Sequence, residues 1–172
     1  MNNIHPGDIY GVVGIGGLSY LAIQYAKKFG YITVARSSST NKKELASELG
    51  ANIYIDQSSQ DVVQELKKLG GAELIIVTAA GGELSEVIDR LAFDGTLLIV
   101  AMLPEPLKVD TVSLILKRAQ IRRWPSGTQA DAEDALNSSA LSNTKPLILT
   151  YTLKQAKQTC EDMMSESQDS VQ

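Results

Sequence analysis

The residues best suited to chemistry are three glycines and a group of hydroxyl and basic side chains. Gly14, Gly16 and Gly17 stand in the run Gly14-Ile15-Gly16-Gly17-Leu18-Ser19. Before it lies a short β-branched apolar run over 9–13. After it, residues 18–29 carry Leu18, Leu21, Ala22, Tyr25, Ala26 and Phe29 at helical spacing, closed by Gly30. This is the pattern G-x-G-x-x-G between a strand and a helix, with Ser19 in the third glycine position. Gly14 would make the tight turn, and Gly16 would let the backbone approach a pyrophosphate resting on the helix N-terminus. A plain strand-to-helix turn would use glycine as well, so the pattern gains weight only from its context.

The second cluster follows a β-rich run over 31–35. Arg36, Ser37, Ser38 and Ser39 come next, then Lys42 and Lys43. A site for a 2′-hydroxyl usually has Asp or Glu here, about 20 residues after the glycines. A carboxylate repels a 2′-phosphate, whereas guanidinium, hydroxyl and ammonium groups attract one. The expected ligand is therefore NADP(H) rather than NAD(H). A polar loop capping the next helix would have the same composition.

Other chemistries find little support. Cys160 is the only cysteine and His5 the only histidine of 172 residues, so neither a disulfide nor a Cys/His metal cluster is expected. His5 reads as a solvated terminal residue and Cys160 as a helix core residue. The formal net charge of −4, with no compensating basic block, argues against nucleic acid. No apolar run is long enough to span a membrane, and the first residues do not form a signal peptide, so a cytoplasmic protein is expected. With 44% hydrophobic and 21% charged residues the chain can bury a real core.

Stepping along the chain, strand-like and helix-like runs alternate. Helices are expected over 41–49, from an N-cap within 58–61 to Leu69, over 83–93 and over 111–117. Strands are expected over 52–55, 73–78, 96–101 and 119–124, the last an edge strand because it is polar and followed by Pro125. Such alternation predicts an α/β fold: a doubly wound, six-stranded parallel (Rossmann) sheet of order 3-2-1-4-5-6 with helices on both faces. Residues 1–130 would form this domain. Residues 131–172 would form a tail of helix, extended segment over 145–151 and helix over 153–164. Ligand would cross the C-terminal strand ends, which gathers Gly14, Gly16, Gly17, Leu18, Ser19, Arg36, Ser37, Ser38, Ser39, Lys42, Thr78, Ala79, Val100, Ala101 and Met102 around one crevice.

These residues carry a resemblance. The chain resembles the cofactor-binding half of the medium-chain, zinc-type alcohol dehydrogenases, most closely the NADP-preferring, cinnamyl-alcohol-dehydrogenase-like members. The resemblance lies in Pro6-Gly7-Asp8, the glycine turn with Leu21 to Lys27, Ser37 to Ser39 with Lys42, Glu48 to Ala51, Leu91 to Gly95, and Lys145-Pro146 with Tyr151 and Leu153 to Ala156. It implies hydride transfer between nicotinamide and an alcohol or carbonyl group. It also implies that zinc and most of the substrate pocket come from a separate catalytic domain. Arg123-Trp124 stands where relatives carry a small Gly-Ser pair, and Ala101 where many carry Gly. Relatives pair two subunits through the sixth strand, and self-association or a partner chain is expected here. Three readings follow: an NADP(H)-dependent oxidoreductase, with Thr78, Ser126 or Tyr20 as donors near the nicotinamide; an NADP(H)-binding subunit or fragment without chemistry of its own; or a repurposed non-redox enzyme, an isomerase or cyclase, with Arg123 and Trp124 lining the vacated crevice. The small-molecule substrate and the catalytic acid are unspecified by the sequence.

Overall fold

A computed structural model describes residues 4–38, 40–79, 87–103 and 106–165. The first strand, β1 (Ile9–Val13), leads through the glycine turn into helix α1 (Gly17–Lys28). β2 (Ile32–Ser37) follows, then a 3-10 turn (Thr40–Lys42) and α2 (Lys43–Leu49). β3 (Ile53–Asp56), α3 (Val62–Lys68) and β4 (Ala72–Val77) complete the first half. A 3-10 turn (Val87–Arg90), β5 (Leu91–Ile99), α4 (Thr111–Leu116) and β6 (Gln120–Arg123) form the second. The tail holds α5 (Gln129–Ser142), a 3-10 turn (Leu153–Gln155) and α6 (Ala156–Ser165).

All six strands are parallel and lie in the order β3-β2-β1-β4-β5-β6. The order reverses between β1 and β4, the switch point expected from alternating strands and helices. Both sheet faces are covered. Val12, Ile15, Tyr20, Ile23, Ala35 and Ala46 pack under α1 and α2. Val13, Val34, Ile55, Leu66, Ile75 and Leu97 belong to the larger cluster on the α3 face. This double cover is why the strands read as nearly continuous apolar runs.

The helices begin and end where local chemistry dictates. The Asp61 carboxylate accepts from the Val63 and Gln64 N–H groups at the start of α3, and Asp110 does the same for Val112 and Ser113 in α4. Thr128 and Asp131 form a reciprocal capping box on α5. α2 ends at Gly50, whose φ of 112° suits glycine.

Three expectations need correction. The helix expected over 83–93 does not reach Phe93. Its residues 83–86 lie outside those described, 87–90 form a 3-10 turn, and the chain is already strand from Leu91. Leu91 pairs with Ala72, while the next registered pair is Leu74 with Thr96, so β5 bulges over the intervening residues. Asp94 at φ 60° marks the bulge. Leu91 is buried by its pairing and packing rather than by a helix face. Secondly, Cys160 is exposed, not core; the neighbouring α6 side chains from Ala156 to Gln158 are exposed too, so that face of α6 is not covered. The inward placement expected for Met163 and Met164 concerns side chains outside the described set. Thirdly, Tyr20 is no nicotinamide-side donor: it is 1% exposed within the core beneath α1.

Candidate functional site

The glycine turn is held by contacts from three strands. Gly14 has φ 98°, and its N–H donates to the Arg36 carbonyl at 3.1 Å. A Cβ on Gly14 would lie 2.7 Å from the Ala79 Cβ, so glycine is required both for conformation and for close approach. The Thr78 N–H and Oγ1 both donate to the Val13 carbonyl, at 3.2 and 2.9 Å. The Thr78 proton is thereby committed, so the Ser19 hydroxyl, 2.5 Å away, must donate to Thr78 Oγ1. Ser19 is 1% exposed. Its hydroxyl, in the third glycine position, thus ties α1 to the end of β4 across a close helix–strand contact.

Gly16 and Gly17 differ from Gly14. A Cβ on either would meet no described atom within 4 Å, so no described residue occupies the space before them. Gly16 caps α1 without any side-chain hydrogen bond, and the first turn carries no acidic residue. Lys27 and Lys28 occupy the last turn, where cations complement the helix dipole. α3, α4 and α5 have side-chain caps; α1, like α2, has none, and α1 presents its leading N–H groups and positive dipole end at the glycine turn. Lys42 Nζ donates to the Ile15 carbonyl at 3.2 Å, which adds an ammonium at the same turn. Leu18, 60% exposed, flanks it. The residues present therefore fit a negatively charged diphosphate: an open backbone cradle, a helix N-terminus and a cation, with no side chain of the described residues filling the cradle.

The remaining predicted residues distribute around the same strand ends. Ser37, at the end of β2, is half-buried and hydrogen-bonds the Tyr54 hydroxyl; burial outweighs that bond and holds the Tyr54 phenol above its ordinary value. Ser38 is exposed, and Ser39 lies outside the described residues. Ala79 is exposed beyond β4. Val100 and Ala101 are half-buried beyond β5, and their N–H groups share the Val77 carbonyl at 3.1 Å each. Met102 is almost wholly exposed. Backbone pairing brings the ends of β1, β2, β4 and β5 to one side of the sheet.

Arg36 is the exception. Its backbone stands at the end of β2, but its side chain turns inward between β3 and α3 and is 6% exposed. Burial, and then the neighbouring Arg90, lower its guanidinium to about 10. In this conformation it offers nothing to a phosphate in the crevice, which corrects the expected placement. Arg90, equally buried beside it, was not foreseen; it lies 54 positions away in the chain, and no local pattern marks it. Arg123 and Trp124 are exposed at the sheet edge and do not line the cavity next to Arg36. Among the described residues, Ser126 Oγ hydrogen-bonds the adjacent Gly127 carbonyl, at 3.5 Å. Among the described residues no group of three His, Cys, Asp or Glu could hold a metal ion, and no described helix is long and apolar enough to cross a membrane.

This geometry has known counterparts. The family model described as zinc-binding dehydrogenase matches residues 17–140. Alcohol dehydrogenase notN of Aspergillus sp. (strain MF297-2) is 39% identical over 164 residues, covering 95% of this chain and 48% of that protein. Alcohol dehydrogenase patD of Penicillium expansum is 41% identical over 165 residues, with coverage of 95% and 48%. The crystal structure of a putative alcohol dehydrogenase from Sinorhizobium meliloti 1021 superposes with a TM-score of 0.87 at 25% identity, covering 94% of this chain and 49% of that one. The chain spans about half the length of the curated relatives it matches. It corresponds to their nicotinamide-cofactor-binding portion. By its glycine turn, its sheet order and these matches, the chain belongs to the zinc-binding dehydrogenase family.

Proposed function

We propose that this chain binds NADP(H) and serves hydride transfer between the nicotinamide and an alcohol or carbonyl group in an alcohol dehydrogenase-like oxidoreductase. The observation that carries the reading is the open, uncapped turn at Gly16-Gly17, with Lys42 beside it. The pyrophosphate would rest on the leading N–H groups of α1, with Lys42 offsetting part of its charge. Ser37 and Ser38, with no carboxylate at the end of β2, favour a 2′-phosphate over a free 2′-hydroxyl. Thr78 and Ser19 position the turn rather than touch the ligand, since their hydroxyl protons are committed to each other and to Val13. The nicotinamide, when bound, supplies or accepts the hydride. The zinc that the family uses to polarise a carbonyl has no ligand set among the described residues, so polarisation would be the task of groups outside them.

Gly16→Ala tests the cradle. The backbone there, at φ −149°, suits any residue, and the new Cβ meets no described atom. Folding should lose at most about 1 kcal/mol, the helix-capping difference between Gly and Ala. Affinity for NADPH should fall at least about tenfold if a pyrophosphate approaches this backbone. Unchanged affinity would refute the site.

Self-association through the β6 edge belongs to the same reading. β6 is exposed along its length, and Val112, Ile115 and Leu116 of α4, with Ile121 and Trp124, add exposed apolar surface nearby. Light scattering at micromolar concentration should report a dimer or larger species. A strict monomer would refute pairing at this edge.

A further inference from the structure

The pleat of β2 sends alternate side chains to opposite faces of the sheet. Arg36 goes to the α3 face with Val34. Ser37 goes with Ala35 to the face of α1 and α2, the face from which the uncapped start of α1 rises. On the neighbouring strand Tyr54 registers with Ala35, and its ring packs against the same cluster. Tyr54 stands two residues before Asp56, the residue that registers with Ser37. The step along the strand is about 6–7 Å, a distance a tyrosine side chain covers. The hydrogen bond between the Ser37 and Tyr54 hydroxyls therefore ties a half-buried phenol, anchored in the core, to the side chain at the very end of β2. Asp56 does not take the Ser37 hydroxyl. Its Oδ1 accepts from the Ser58 N–H at 2.9 Å and from the Ser58 hydroxyl at 2.6 Å, and its Oδ2 has no hydrogen-bond partner.

A serine hydroxyl has one proton to give and two lone pairs to receive others. Which of these faces the crevice depends on what holds the hydroxyl from behind. We propose that Tyr54 is a positioning residue for NADP(H): its O–H donates to Ser37 Oγ, which turns the Ser37 proton outward to an oxygen of the 2′-phosphate. This role rests on the crevice being the dinucleotide site proposed above. Burial, aided by the charge of Asp56, holds the Tyr54 phenol above its ordinary value against the opposing effect of the Ser37 bond. At neutral pH Tyr54 therefore keeps the proton that it donates. Phosphate oxygens at that pH are mainly acceptors and need a donor. A free 2′-hydroxyl can give a proton to Ser37 Oγ as readily as take one. The orientation imposed by Tyr54 therefore matters for a 2′-phosphate and little for a 2′-hydroxyl.

Calorimetric titration of the full chain with NADPH and with NADH reads the ratio of the two Kd values. Tyr54→Phe keeps the ring in the cluster and removes only the hydroxyl. It should weaken NADPH binding about three- to tenfold, the weight of one hydrogen bond, and leave NADH within about twofold. In a Ser37→Ala background the same substitution should change neither affinity, because the hydroxyl it orients is gone. An unchanged ratio in Tyr54→Phe, an equal loss for both nucleotides, or the same loss in the Ser37→Ala background would overturn the positioning role, while NADPH binding by the unaltered chain leaves the dinucleotide site standing. A folded chain that binds neither nucleotide overturns both. Should Tyr54→Phe fail to fold, a crystal structure of the unaltered chain with NADPH decides the matter. Ser37 Oγ within hydrogen-bond reach of both the Tyr54 oxygen and the 2′-phosphate is expected, and Ser37 Oγ out of reach of either would overturn the proposal.

Discussion

Thr78→Val asks how much the hydroxyl chain under the glycine turn contributes. Valine keeps the β-branched shape and removes only the oxygen. Two hydrogen bonds then disappear: the one from Oγ1 to the Val13 carbonyl at 2.9 Å and the one from the Ser19 hydroxyl at 2.5 Å. Val13 still receives the residue-78 N–H at 3.2 Å, so its carbonyl stays satisfied. Ser19 has no such reserve. It is 1% exposed, and its hydroxyl would be left buried without an acceptor. An orphaned buried donor costs about 1–3 kcal/mol. Around the middle of that range Tm should fall by about 4–8 °C for a chain of this size. Urea unfolding followed by circular dichroism gives the free energy, and calorimetry gives the shift in Tm. The double variant Ser19→Ala/Thr78→Val removes the donor together with its acceptor. It should be less destabilised than the two single variants summed, with a coupling of about 0.5–3 kcal/mol. A loss below about 0.5 kcal/mol in Thr78→Val, or strict additivity, would refute the hydroxyl chain as argued.

Other consequences are more briefly stated. Gly14→Ala forces a side chain into a left-handed backbone 2.7 Å from the Ala79 Cβ, and should destabilise by at least about 1–3 kcal/mol in urea unfolding, unlike Gly16→Ala. Lys42→Glu places a carboxylate beside the turn and should weaken NADPH binding at least about tenfold in calorimetry, with a smaller loss for NADH, since the 2′-phosphate adds to the repulsion. Asp110 and Asp131 are held below the ordinary carboxylate range, Asp110 mainly by the Ser113 hydroxyl and Asp131 mainly by the Thr128 N–H. Their folded-state values lie below the unfolded ones, so their contribution is complete above about pH 4 and is lost as pH falls through the folded values. Stability measured against pH should therefore drop more gently below pH ~4 in Asp110→Asn and Asp131→Asn than in the unaltered chain.

Much of this architecture can be read from the chain itself, because it rests on local periodicities. The glycine turn, the apolar runs of β1 and β4 and the helical spacing of α1 carry the sheet order with them, through the handedness of parallel connections. What escapes the sequence is non-local. Ser19 and Thr78 are 59 positions apart, and only the pairing of β1 with β4 brings them together. The direction of Arg36 is hidden for a different reason. Alternation along β2 assigns Arg36 to the face of Val34, but in a sheet covered on both faces alternation does not separate core from crevice. The early start of β5 follows from the pairing of Leu91 with Ala72, which no helix-like spacing over 83–93 reveals. Cys160 reads as apolar core by residue type, yet it is exposed on α6.

The central claim is that the turn at Gly14 to Ser19 is a dinucleotide site with a preference for NADP(H). Calorimetric titration of the folded chain with NADPH and, separately, with NADH tests it most directly. One molecule of NADPH bound per chain, more tightly than NADH, and weakened by Gly16→Ala without loss of fold, is the predicted result. A folded chain that binds neither nucleotide would contradict it.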